Sequence, residues 1–157
     1  MTVEPEPARA PGRWSVERAA QSRAPVESVW PLIGEAKRWQ EWSFLDRTDV
    51  VEEGVPAPDG VGALRRFTRL GVGSRERVVA WEPPRHLGYT IEKGFPVRNY
   101  RADVTCTPDG TGTRVSWSAT FDPLIPGTGH ILVLILNRLL NAFATGAARH
   151  AEQEGPE

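Results

Sequence analysis

The stretch that decides the fold is TRVSWSATF at 113–121 followed, past Pro123 and Pro126, by GHILVLILNRLLNAFATGAARH at 129–150. In the first part Val115, Trp117, Ala119 and Phe121 alternate with Arg114, Ser116, Ser118 and Thr120. That period of two sets one face of a strand against a core. In the second part Leu132, Ile135, Leu136, Leu139, Phe143, Gly146 and Ala147 recur every 3.6 residues, with Asn137, Arg138, Asn141, Thr145 and Arg149 opposite, as in a helix that buries one stripe. The helix is predicted to open at Thr128 or Gly129 and to run to about Gln153. Its first two turns are apolar all round, because Ile131, Val133 and Leu134 occupy the other faces.

Working outward, the same alternation predicts strands over 99–107, where Tyr100, Ala102, Val104 and Cys106 share a side, and over 87–92, where Leu87, Tyr89 and Ile91 do. The segments 63–70 and 75–81 flank Gly71 and Gly73 and read as a hairpin, ended by Pro83 and Pro84. A further strand covers 48–52, and 56–60 is a turn. Nearer the N-terminus, 14–22 alternates as a strand, with Arg18 interrupting its apolar side. Pro25 and Glu27 then signal a helix start, with Val26, Val29, Trp30 and Ile33 on one face. Gly34 ends that helix and 36–42 forms a second short one. The order is therefore strand, two short helices, six strands and a long helix, an α+β arrangement in which a curved antiparallel sheet wraps the last helix. Residues 1–12, rich in Pro, Glu and Ala, read as a disordered tail, 13–153 as one domain and 154–157 as a frayed end.

Composition excludes several classes of function. With 157 residues, 39% hydrophobic and 25% charged, the chain can bury roughly two-thirds of its unfolded surface. A net charge of −1 provides no field that would gather nucleic acid or an anionic membrane. The single cysteine, Cys106, precludes an internal disulfide and fits a reducing, cytoplasmic setting. The aliphatic run Ile131–Leu136 falls far short of the ~20 residues of a bilayer span, so stable membrane insertion is not expected. His86, His130 and His150 lie far apart in sequence with no partner at metal spacing. GVG at 60–62 and at 71–73 lacks the setting of a dinucleotide fingerprint. No metal and no other cofactor is expected.

The segments APVESVW at 24–30, Trp39 with Trp42, GVGA at 60–63, ERVVAWEPPRHLGY at 76–89 and GTRVSW at 112–117, together with the closing helix, resemble the SRPBCC superfamily in its polyketide cyclase/dehydrase branch. This is a START-like, helix-grip family, and the resemblance covers about residues 13 to 152. It implies a seven-stranded antiparallel sheet gripping the C-terminal helix, with a cavity between them. Because that family hosts lipid carriers, aromatase/cyclases, hormone receptors and co-chaperones, the fold does not decide the function.

The inward sides of the strands and of the helix stripe, with the short helix beside the expected cavity mouth, nominate Trp42, Phe67, Glu76, Tyr89, Tyr100, Trp117, Phe121, Leu136, Leu139 and Phe143 as ligand-binding residues. Plain core packing is the alternative for the aromatic ones. Trp39, in the same short helix as Trp42, is weighed beside it. Glu76, Tyr89 and Tyr100 are the candidates for proton transfer, with Arg65 or Arg66 on the neighbouring strand as a partner for Glu76. The hairpin register is left open, because Leu64, Phe67 and Leu70 do not alternate. The first reading of function is binding of a hydrophobic small molecule, a lipid or an aromatic, polyketide-like compound, by a carrier or sensor. The second is a cyclase/aromatase or dehydratase. The third is an interaction module, in which the apolar start of the last helix meets a membrane surface, a protein partner or a second copy.

Overall fold

The computed structural model describes residues 10–154. Its elements are β1 (Trp14–Ser22), α1 (Val26–Gly34), a 3-10 turn (Ala36–Arg38) running into α2 (Trp39–Trp42), β2 (Arg47–Glu52), β3 (Leu64–Arg69), β4 (Val72–Glu82), β5 (His86–Lys93), β6 (Val97–Asp109), β7 (Gly112–Pro123) and α3 (Gly129–Glu154). The strands form one antiparallel sheet in the order β1-β7-β6-β5-β4-β3-β2. β1 crosses to pair with β7, so the first and last strands lie side by side beneath the closing helix. The expected helix-grip architecture is the one observed.

Most of the expected tail, residues 1–9, and the end, residues 155–157, lie outside the described residues. Of the expected tail, Ala10 accepts a hydrogen bond from Asn99 Nδ2 at 2.8 Å, and a Cβ on Gly12 would meet the Phe121 backbone at 2.4 Å. The ordered path therefore already follows the sheet before Trp14. At the other end, Glu154 is still helical and pairs with Arg38.

The long helix is rotated relative to the expected stripe. Leu132, Leu136, Leu140, Phe143, Ala144, Ala147, Ala148 and Ala151 are buried, whereas Ile135 is 45% exposed and Leu139 and Gly146 are half-buried. Asn137, assigned to the outer side, accepts a hydrogen bond from Arg18 Nε at 3.1 Å, so it faces β1. Close approach explains the alignment: a Cβ on Gly129 would lie 2.2 Å from the Trp14 ring, and one on Gly146 would lie 2.6 Å from the Trp42 carbonyl oxygen. Glycine costs a helix about 1 kcal/mol relative to alanine; at these two places it lets β1 and α2 touch the helix backbone. Ser22 Oγ, buried on β1, donates to the Ala148 carbonyl at 2.8 Å, which fixes the C-terminal half of α3 along the strand. By length and mean hydropathy α3 is apolar enough to cross a membrane; here one of its faces lies on the sheet.

α1 starts where Pro25 holds extended backbone (φ −69°, ψ 163°) and buries Val26, Val29, Trp30, Leu32 and Ile33. Its last turn carries the carbonyls that anchor α2. Trp39 Nε1 donates to Ile33 O and Trp42 Nε1 to Leu32 O, both at 2.8 Å. A four-residue helix with weak intrinsic stability is thereby tied down through two indoles.

Candidate functional site

The inner faces of β3–β6, α2 and the middle of α3 do not close completely. They leave a cavity of about 140 Å3. Of the ten residues nominated from sequence, Phe67, Glu76, Tyr89, Tyr100, Leu136, Leu139 and Phe143 line it. Trp42, Trp117 and Phe121 do not, and the reasons are local. Trp42 turns its ring edge to the Leu32 carbonyl, and its neighbour Trp39 takes the place at the wall. Trp117, fully buried, stands behind the wall and donates its indole N–H to the Tyr89 hydroxyl at 3.0 Å. Phe121 faces inward near the end of β7, opposite Trp14 of β1, away from the opening.

Sequence reasoning missed Phe44, Leu45, Val72, Gly73, Ser74, Ile91, Gly94, Phe95 and Leu140, which also line the space. Most of them sit in or beside turns, where no period marks an inward side chain. The wall is a set of aromatic rings in contact. Trp39 stacks on Phe67 with centroids 4.3 Å apart, Phe44 stacks on Phe143 at 5.7 Å with an angle of 6°, and Trp117 lies 5.5 Å from Phe143. The exposed Phe44 and Val72 stand at the rim.

Cross-strand pairing settles the hairpin register. Arg65 on β3 is directly opposite Glu76 on β4, and both are buried, at 1% and 7% exposure. Arg66 points the other way and grips Asp49 through two hydrogen bonds of 3.1 and 2.8 Å. Arg77 reaches Glu92 and Glu52, each at 2.7 Å. These outer arginines form an ion-paired face.

The inner pair is less satisfied. Glu76 Oε1 accepts from Ser74 Oγ at 3.2 Å, while Oε2 has no partner. Arg65 Nη1 donates to Gly34 O at 3.3 Å, and its Nε and Nη2 have none. The guanidinium lies 5.0 Å from the centroids of both Trp39 and Phe67. It packs against these rings from outside the cavity and is not itself part of the wall, a cation–π setting that compensates part of its lost hydration.

Burial pushes the Glu76 carboxyl up to about 7, against the opposing pull of Arg65 and Ser74. Burial, reinforced by the nearby Glu76, likewise raises both Tyr89 and Tyr100 above the ordinary phenol range, so both stay neutral donors at physiological pH. The polar end of the cavity thus holds one acid raised toward neutrality and two phenols within an apolar wall, a set able to orient a polar group or to move a proton.

Elsewhere, Cys106 is a buried thiol that burial pushes up to about 12, which makes it unreactive. Contrary to the sequence expectation, one histidine does have companions. Glu41, His150 and Glu154 bring their ligand atoms within 4.8 Å of one another. Arg38 already pairs with both of those carboxylates and supplies the cation there. On the outer sheet face His86 bridges Asp103 at 2.7 Å and Glu82 at 3.2 Å.

Comparison with known proteins fits this geometry. A family model described as polyketide cyclase/dehydrase and lipid transport matches residues 13–152. A search of curated proteins returns no match. Among solved structures, the chain is similar to a Thermobifida fusca protein at 28% identity and a TM-score of 0.72, covering 90% of this chain and 93% of that one. It shares its fold with a START superfamily protein from Mycobacterium smegmatis (12% identity, TM-score 0.75, coverage 89% and 98%). The same fold is found in norcoclaurine synthase from Thalictrum flavum (13% identity, TM-score 0.70, coverage 90% and 96%).

Proposed function

The chain belongs to the polyketide cyclase/dehydrase and lipid transport family, and from that premise we propose that it takes up one hydrophobic small molecule in the cavity between α3 and β3–β6, as a carrier or sensor. The observation that carries this reading is an apolar, aromatic-walled space of about 140 Å3 with the unpartnered Glu76 Oε2 at its edge. Native proteins seldom leave such an atom without a partner unless a ligand or water completes it.

Mass spectrometry of small molecules released from the purified protein tests the reading, alongside titration with apolar fluorescent probes followed through tryptophan emission. Binding that quenches the indoles and is lost when the cavity is filled supports it. Absence of binding by every apolar and aromatic class would remove it.

A second reading is favoured by Glu76 alone. A buried acid at about 7 is suited to take and return protons near neutral pH, as a cyclase/aromatase or dehydratase requires, with Tyr89 and Tyr100 donating to a developing oxyanion. Turnover of a poly-carbonyl substrate that disappears in Glu76→Gln while ligand affinity persists would move this reading to first place.

A further inference from the structure

The cavity has a definite size and an unbalanced polar end. A dry apolar cavity of ~150 Å3 is large enough for one benzene ring, and this one, at about 140 Å3, is of that size. A sixteen-carbon chain or a large fused polycyclic skeleton exceeds it. Its walls favour a flat guest, since two of the ring pairs are stacked.

At the polar end Glu76 Oε2 is an acceptor with nothing to accept. Arg65, the nearest cation, stands behind Trp39 and Phe67 rather than in the wall, so it cannot reach a guest directly. Tyr89 receives the Trp117 N–H and turns its own hydroxyl to Tyr100, which leaves Tyr100 as the phenol with a hydrogen to give. An orphan acceptor beside a phenol donor is complemented by a group that both donates and accepts. A hydroxyl satisfies Glu76 in either protonation state, whereas a ketone or ester only accepts and would leave the ionised Glu76 Oε2 buried and unpaired.

Resting on the cavity-binding reading above, we propose that the site selects compact single-ring compounds bearing a hydroxyl, with that hydroxyl donated to Glu76 Oε2 and the ring held among Trp39, Phe67 and Phe143.

The isosteric probes p-cresol and p-xylene, with palmitate as the long-chain comparison, are titrated into the full chain and followed by tryptophan emission. The inference expects p-cresol to bind about tenfold or more tighter than p-xylene, and palmitate to bind more weakly than either. Glu76→Leu, checked by circular dichroism for folding, should abolish the preference for p-cresol and retain p-xylene.

A pH series supplies an independent readout. The groups facing Glu76 are Arg65 from β3, Ser74 from β4, Tyr89 from β5 and Tyr100 from β6, while α2 and α3 turn only apolar side chains to the cavity. Among these Glu76 is the group that titrates near neutrality, and an ionised carboxylate accepts more strongly than a neutral acid. The preference for p-cresol should therefore grow as pH rises from 5 to 8, over which range p-cresol, a phenol, stays neutral.

Equal affinity for cresol and xylene would overturn the hydroxyl assignment and leave the cavity reading standing. Tighter binding of palmitate would overturn the size assignment, again without touching that reading. Failure of all three probes, together with every larger apolar compound, would overturn both.

Discussion

The two halves of α3 meet the same sheet in opposite ways. Toward its C-terminus Ala144, Ala147, Ala148 and Ala151 are almost completely buried, Gly146 lies against α2, and Ser22 ties the Ala148 carbonyl. Nearer the N-terminus Leu136, Leu139, Leu140 and Phe143 stand off from β3–β6 and leave the cavity. All three buried side-chain atoms without partners among the described residues, on Arg65 and Glu76, belong to that second region. Small side chains let one half of the helix lie flat against β1. The larger ones, from Leu136 to Phe143, stand over the cavity and strands that carry charge, although Gly129 and Asn137 still touch β1. Close packing is concentrated in the first region and unfulfilled polar chemistry in the second, a division seen where a site is built at the expense of packing.

The largest effect should come from placing a charge where the two halves join. Phe143 is buried among Trp39, Phe44 and Trp117, with no cation in contact. Phe143→Asp is expected to cost about 4 kcal/mol or more and to unfold the domain at moderate temperature. Asn141→Asp, two residues away on an exposed face, should change the melting temperature little. Equal tolerance of both would show that the helix does not hold the sheet in the way described.

The next prediction is confined to the cavity side. Glu76 sits at about 7 when folded, against an ordinary value near 4.5. Between those values the native state binds more protons than the unfolded one, so stability falls as pH rises through that window and levels off above it. At ~1.4 kcal/mol per tenfold change in proton affinity, the full swing is about 3 kcal/mol. Asp103 acts with the opposite sign and elsewhere. Burial favours its neutral form, but hydrogen bonds from Arg101 and His86 outweigh this and hold it below its ordinary range. Its contribution is therefore present above that range and is lost only in stronger acid. Denaturant unfolding at pH 5, 6, 7 and 8 should show the decline in the wild type and a flatter profile in Glu76→Gln, whatever the absolute stability of the variant. A wild-type profile that rises from 5 to 8 would contradict the burial of an uncompensated carboxyl.

How much of this was legible depended on whether a period of two or of 3.6 survived locally. β7 and α3 were readable because the inward positions of one from Val115 to Phe121 are all apolar and the other spans several turns. The hairpin of β3 and β4 was not, because the inward position between Ala63 and Phe67 is Arg65, which breaks the alternation that would have revealed the register. In the first turns of α3, apolar on every side, Ile135 was placed in the stripe although it faces solvent. Trp117 and Phe121 illustrate a different limit. Alternation correctly put them on the inner face, but position along a curved sheet is set by strand order, which no single segment encodes. The turn residues Gly94 and Phe95 reach the cavity through loop geometry alone.

Filling and crowding should separate the two regions more finely. Ala147→Leu, on the close-packed side, adds volume where none is free and is expected to destabilise by about 1–3 kcal/mol. Leu139→Phe adds a smaller increment of bulk, beside the cavity. It should leave stability within about 1 kcal/mol of wild type while reducing ligand uptake. Calorimetry of both variants, with probe titration of the second, checks the contrast. If Ala147→Leu were the better tolerated, the assignment of packing quality to the two halves would be reversed.

The smallest effect is expected on the outer side of the helix start. Ile131, Leu134 and Ile135 are 58%, 55% and 45% exposed, and Leu124 and Ile125, just before the helix, are similarly open. Ile135→Ser removes apolar surface of which folding buries only about half, so it should shift stability by no more than about 1 kcal/mol. Isoleucine and serine have similar helix propensity, so any loss would report packing. Leu136→Ser, one residue on, deletes a fully buried contact at the cavity wall and should cost several times more. Sedimentation of the wild type over a range of concentrations gives the same pair a second use, because this exposed face is where the sequence placed a homodimer or protein contact. Self-association that is weakened by Ile135→Ser at unchanged stability would assign these residues to an interface. A large loss of stability in Ile135→Ser would instead mean that the helix is rotated toward the sequence-derived stripe, and that the cavity is bounded by a different set of leucines.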